Sequence, residues 1–147
     1  MIRIDVFAIG KLKEKFWKDA CAEYLKRLEG YAKVEVRELA DSTPQKEAEA
    51  LMAALPKSGP IVLLDIKGRE TSSEMLASKL ETFALEGDSR ISFIIGGSDG
   101  VTNEIKTHAS ERISFGPITL PHNLARVVLL EQIYRAFKII RKEPYHK

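Results

Sequence analysis

The sequence predicts an α/β domain: a mostly parallel sheet with helices on both faces. Three observations predict it. Strand-like and helix-like segments alternate along all 147 residues. Two of the strand-like runs, 61–64 and 91–95, are apolar without a break, as strands covered on both faces are. No linker, repeat or low-complexity tract divides the chain, so 1–147 reads as a single domain.

The first strand covers 2–9. Ile2, Ile4, Val6 and Ala8 alternate with Arg3, Asp5, Phe7 and Ile9, and Gly10 closes it. Phe16, Trp17, Ala20, Tyr24, Leu25 and Leu28 then recur at helical spacing, with Gly30 as a stop. A second strand runs over 34–39. Ser42 and Thr43 offer caps, Pro44 suits a first turn, and the helical pattern continues to Leu55. Pro56 and the Gly59-Pro60 pair end it. The run 61–64 is the third strand. Thr71 with Glu74 reads as a capping box before a helix carrying Met75, Leu76, Leu80, Phe83 and Ala84, stopped by Gly87. The run 91–95 is the fourth strand. A short helix over about 103–111, a short strand over 112–115 and a long helix over 124–142 follow, with Pro144 beyond.

Composition narrows the function classes. Apolar residues make up 44% and charged residues 30%, a globular balance. The single cysteine, Cys21, excludes a disulfide framework and a multi-cysteine zinc site, and it fits a reducing compartment. No ligand cluster implies a metal. No run approaches the ~18 apolar residues of a membrane span. Asp5 interrupts any signal-peptide core, and Lys11, Lys13, Lys15 and Lys18 follow. The chain therefore reads as soluble and cytoplasmic, with no membrane partner. The net charge of +2 conceals an asymmetry: residues 132–147 hold five basic groups against Glu143. That is a footprint for polyanion contact, or a solvated helix face.

In open parallel sheets ligands sit beyond the carboxyl ends of the strands, so the loops after Leu64, Ile95 and Phe115 are the places for a site. Gly96-Gly97-Ser98-Asp99-Gly100 joins a buried strand to a helix. It is neither a dinucleotide fingerprint nor a Walker loop. Three readings stand: a tight turn with capping residues, a ligand-cradling loop, or a G-x-S-x-G nucleophile elbow with Ser98 at its centre. The segment 115–122 is an apolar loop with two prolines, expected to be buried. It is either a packed connection or a slot whose backbone groups serve a flat heterocycle such as adenine. His122 is a base or a helix-entry group. The apolar stripe of the last helix, from Val127 to Ile140, is core or in part a subunit interface. Tyr145, His146 and Lys147, directly after a basic helix, suit a flipped base and its phosphates.

The stretches 94–100, 119–122 and 126–138, with the ending Pro144-Tyr145-His146-Lys147, resemble the bacterial 23S rRNA pseudouridine-N3 methyltransferases, the smallest members of the SPOUT superfamily. The likeness spans the whole chain. The ending is Tyr-His-Lys here, where some members have Tyr-His-Arg, which keeps a cation but loses bidentate geometry. The resemblance implies a deep C-terminal trefoil knot, a homodimer, S-adenosylmethionine as methyl donor and a pseudouridine of large-subunit ribosomal RNA as acceptor. It implies that Leu64, Gly96, Phe115, Gly116, Pro117, Ile118, Thr119 and Leu120 hold the cofactor. It implies catalytic roles for Tyr145, His146, Arg135 and Glu131, with Glu131 orienting Arg135 from one helical turn away. Arg141, Lys142, Lys147 and His122 are the implied RNA contacts. Two alternatives are a serine hydrolase using Ser98 and a non-enzymatic RNA-binding module. The tail is expected to point away from its own strand ends and to act on the partner subunit's cofactor.

Overall fold

The computed structural model describes residues 1–145; His146 and Lys147 lie outside the described residues. Five strands form one sheet: β1 (Arg3–Ile9), β2 (Lys33–Leu39), β3 (Ile61–Glu70), β4 (Arg90–Ile95) and β5 (Glu111–Ser114). Their order is β2-β1-β4-β3-β5, and every neighbouring pair is parallel. The connecting helices are α1 (Lys15–Leu28), α2 (Pro44–Ala54), α3 (Ser73–Leu85), α4 (Asn103–His108) and α5 (His122–Ile140).

The side-chain period of two sorts each central strand between two cores. Ile4, Val6, Val62, Ile91 and Phe93 pack with side chains of α1, α3 and α5. Phe7, Ile9, Leu63 and Ile94 pack with side chains of α2 and α4. Helices therefore cover both faces, as the unbroken apolar runs require. Asp5, read as one member of an alternating strand, is fully buried. Arg90 holds it at 2.8 Å and Arg3 at 3.4 Å.

α4 ends at His108, short of 111, β5 is Glu111–Ser114 and α5 ends at Ile140; three further differences have a clear cause. β3 continues past its apolar run to Glu70 because β5 extends its ladder: after a register shift between Leu64 and Arg69, Arg69 and Glu70 pair with Ile113 and Ser114. Thr71 does not cap α3. Its N–H donates to the Ser114 carbonyl at 3.0 Å, which keeps it in the sheet, so Ser72 becomes the cap and accepts from the Met75 N–H at 3.1 Å. α5 starts at His122, not Leu124, because Pro121 itself supplies the first carbonyl, to the Ala125 N–H at 2.9 Å.

One buried charge ties the entry of α5 to the ends of β1 and β2. Arg126 is 3% exposed and donates to Glu38 Oε2 at 2.6 Å and to the Gly10 carbonyl at 3.1 Å. The Leu12 N–H donates to the same Glu38 oxygen at 3.1 Å. Burial pushes the Glu38 carboxyl up, but the Arg126 and Leu12 bonds outweigh it and hold the pKa below its ordinary value. The clamp therefore stabilises the fold above the usual glutamate pKa and weakens as pH falls through the lowered one. Glu38→Ala strands a buried guanidinium and is expected to cost about 3 kcal/mol. Denaturant melts at pH 7 check it, and a loss below about 0.5 kcal/mol counts against the clamp.

Candidate cofactor cavity and C-terminal cluster

A cavity of about 620 Å³ opens beyond the carboxyl ends of β3, β4 and β5. That volume suits a small-molecule site. Its floor is Leu64, Ile95 and Ile113 at the strand ends; Gly96 and Val101 form one wall, and Phe115, Gly116, Ile118, Thr119 and Leu120 form another. Seven of the eight residues expected to hold a cofactor thus come together: Leu64, Gly96, Phe115, Gly116, Ile118, Thr119 and Leu120. Pro117 is exposed and does not line the cavity. His122, expected as an RNA contact, lines it at the first residue of α5. Sequence reasoning singled out Asp99 only as part of the 96–100 loop and missed Asp65, Lys67 and Lys106; all four add charge to the lining. Asp65 and Lys67 lie in the loop flagged after Leu64 and were legible there as polar residues just past a strand.

Local backbone explains the shape. Gly116 has φ +114°, a region that side chains avoid, and its turn is held by Ser114, whose Oγ accepts the Gly116 N–H at 3.0 Å. A Cβ on Gly96 would stand 2.7 Å from a Val101 methyl, so only glycine lets β4 leave the sheet this close to the following turn. The Gly100 N–H donates to the Gly97 carbonyl at 3.1 Å, making 97–100 a tight turn with Ser98 exposed in it. α4 begins only at Asn103, capped by Thr102, so Ser98 does not sit on a strand-to-helix elbow. The apolar loop is not buried as expected: Ile118 is 77% exposed. Within one chain the loop lies on the open side of the cavity. The backbone N–H groups of Ile118, Thr119 and Leu120 have no backbone partner among the described residues and stand ready for a ligand. Apolar walls, free backbone donors and charged lining residues fit a flat heterocycle carrying a zwitterionic arm. Among the described residues no group of three or more His, Cys, Asp and Glu could hold a metal ion.

A second cluster lies farther down α5. Glu131 Oε2 accepts from Arg135 Nε at 3.0 Å, Arg135 Nη2 at 2.7 Å and the Tyr145 hydroxyl at 3.0 Å. The Arg135 guanidinium stands 4.4 Å from the Tyr145 ring centroid, and Tyr134 meets that ring edge-on at 5.0 Å. The tail reaches this place through a reversal. Lys142 adopts φ +56°, its N–H donates to the Ile139 carbonyl, and the Glu143 N–H donates to the Lys138 carbonyl. This Schellman turn folds Tyr145 back along α5. The tail was expected to point away from its own strand ends, and to Tyr145 it instead returns towards them. Arg141 and Lys142 are exposed, with the Arg141 guanidinium 4.4 Å from the Tyr31 ring centroid.

Burial and the bond to Glu131 push the Tyr145 phenol up to about 12. The Glu131 bond also raises Arg135. Tyr145 is therefore a hydrogen-bond donor at neutral pH, not a base. The protonated phenol stabilises this contact below pH 10, and the contribution fades as pH rises towards 12. The ultraviolet difference between the protein and its Tyr145→Phe variant should show tyrosinate only near pH 12, and in a Glu131→Gln background the midpoint should fall. A midpoint near 10 in the unaltered protein would remove the bond.

Ala125, which lines the cavity, and Glu131 are six positions apart on α5, about 9 Å at 1.5 Å per residue.

A family profile described as a predicted SPOUT methyltransferase matches residues 2–146. The chain is 47% identical to the ribosomal RNA large subunit methyltransferase H of Bacillus cytotoxicus, over 99% of this chain and 100% of that protein. It is 46% identical to the protein of the same name from Bacillus thuringiensis, with the same coverage. Among solved structures, a probable methylase family protein of Haemophilus influenzae aligns with TM-score 0.57 at 14% identity, over 99% of this chain and 70% of that one. TrmJ of Z. mobilis aligns with TM-score 0.52 at 11% identity, over 100% and 73%. At those identities the two structures speak for the fold alone. A profile match over nearly the whole chain, with relatives near half-identical from end to end, decides the matter: the chain belongs to the SPOUT methyltransferase family.

Proposed function

We propose that this protein transfers a methyl group from S-adenosylmethionine to N3 of a pseudouridine in 23S ribosomal RNA, acting as a homodimer in the cytoplasm. The observation that carries the reading is the cavity of about 620 Å³ assembled from the loops after β3, β4 and β5 in a chain of this family. The names of the relatives point to the large ribosomal subunit. The reading includes a C-terminal trefoil knot. In its support, α5 packs against both α1 and α3 although β5, which precedes it, lies at the sheet edge beyond β3.

The bound cofactor supplies a methyl made electrophilic by a sulfonium. The chain does the rest. The N–H groups of the 118–120 segment would hold the heterocycle of the cofactor, and Leu64, Ile95 and Phe115 would exclude water around it. Positioning of the acceptor nitrogen in line supplies much of the rate. That nitrogen carries a proton that must leave. Arg135, held by Glu131, stabilises the deprotonated ring, and the Tyr145 phenol bonds or stacks on it. His146, outside the described residues, takes the proton. In the homodimer the tail acts on the partner's cavity, joining the Glu131, Arg135 and Tyr145 cluster of one protomer to the cofactor site of the other. Lys147 and Arg141 then face RNA phosphate with Lys142 and His122.

The test is ribosomal RNA incubated with the protein and isotopically labelled S-adenosylmethionine, digested and read by mass spectrometry. Label in a nucleoside with the mass of methyl-pseudouridine supports the reading, and label only elsewhere, or none, overturns it. Sedimentation should report about twice the 16.5 kDa chain mass, and a monomer that still methylates would remove the shared site.

A further inference from the structure

The second half of β3 carries a feature that the cofactor cavity borders on one side only. Between Leu64 and Arg69 the register with β5 shifts, so 65–68 bulge out of the ladder before Arg69 rejoins it. The bulge separates two cavities. One side faces the cofactor cavity; the other faces a notch of about 340 Å³ between β3, β5 and the start of α3. The two share Lys67 and Ile113 as lining residues, so they are neighbours along one continuous surface.

The notch is basic. Lys67, Arg69, Lys79 and Arg112 line it against the carboxylates Glu70 and Glu111. Lys79 is paired with Glu111, and Arg112 reaches Asp65 at 3.4 Å. Lys67 and Arg69 are exposed and make no ion pair among the described residues. The bulge depends on Gly68. A Cβ there would stand 2.7 Å from the Arg112 carbonyl carbon and 2.9 Å from the Asp65 carbonyl oxygen, both backbone atoms that cannot step aside. Only glycine lets the bulge press against β5 and set Lys67 and Arg69 on either side of it. Met75, 44% exposed, adds an apolar patch in the same notch.

We propose that this notch is an RNA subsite that takes the phosphodiester backbone beside the nucleotide entering the cofactor cavity, with Lys67 and Arg69 as its phosphate contacts. The inference rests on the methyltransferase reading for the identity of the RNA, but the binding it describes is measured without methylation. Two unpaired cations around a recess suit successive phosphates, and phosphate contacts fix the register of a strand without reading its sequence. The shared boundary with the cofactor cavity is what makes a polynucleotide, rather than a lone anion, the fitting ligand.

The test compares two full-length variants of equal charge change. Arg69→Glu alters the notch, and Lys57→Glu alters an exposed cation between α2 and β3, away from both cavities. A fluorescent single-stranded 12-nucleotide RNA is titrated by anisotropy at several potassium chloride concentrations. Arg69→Glu should weaken binding about tenfold at low salt and reduce the log–log salt slope by about 1. Lys57→Glu should change both far less, and calorimetry should find cofactor affinity unchanged in each. Equal losses in the two variants, or none in Arg69→Glu, overturn the subsite. Failure of ribosomal RNA to take up label would instead sink the methyltransferase reading and leave this measurement standing.

Discussion

Deleting Tyr145, His146 and Lys147 is expected to lower turnover on ribosomal RNA by about a thousandfold, the scale of losing a proton acceptor together with a stabilising contact. Stability should fall only modestly, by several degrees in the thermal midpoint, with the fold intact. Among the described residues the tail adds one hydrogen bond to Glu131, an edge-on contact with Tyr134 and a ring beneath the Arg135 guanidinium, worth about 2 kcal/mol together at a half-exposed site. Cofactor affinity should also hold, because Tyr145 packs on α5 beside Glu131 and does not line the cavity. The sharper form mixes two inactive variants, the tail deletion and Gly96→Val. A mixed dimer holds one site that joins an intact cavity to an intact tail from the partner, so activity should return as subunits exchange. Proven exchange with no recovery would place the tail's action within its own chain, or nowhere.

Gly96→Val should abolish measurable cofactor binding, a loss of at least a hundredfold, or about 2.7 kcal/mol. The structure refines the reason. The new Cβ would meet a Val101 methyl at 2.7 Å, a short branched group with little freedom, before it met any ligand. The turn 97–100 must therefore shift and take the cavity wall with it. The sequence alone predicts an intact fold; with Val101 in contact, the thermal midpoint should fall by several degrees as well. Ile118→Glu serves as the companion variant. Ile118 is 77% exposed, so the fold should not notice the change, yet a carboxylate enters the apolar side of the cavity. Calorimetry on both variants decides: normal affinity in folded Gly96→Val protein would remove the proposed pocket.

Much of this was legible from residue order. The alternation of elements and the apolar runs at 61–64 and 91–95 determined a parallel sheet with helices on both faces, because strands buried on two faces must be apolar at every position. The loops beyond the strand ends followed from the same topology, and they supplied nearly the whole lining of the cavity. The spacing of Glu131 and Arg135 determined their contact, since residues four apart on a helix are neighbours. Tertiary structure decided what depends on partners distant in sequence. Thr71 lost the cap because Ser114 claimed its N–H. β3 outlasted its apolar run because β5 extended its ladder. Arg126, in a helix that reads as amphipathic, is buried because Glu38 and the Gly10 carbonyl wait for it. The tail reversed at Lys142, a residue with no glycine-like signature, because the last carbonyls of α5 and the Tyr145 contact with Glu131 together outweigh the cost of a left-handed residue. Local pattern reports what a segment must bury. It does not report which distant donor, acceptor or charge completes the burial, and those pairings set the shape of both cavities and the path of the tail.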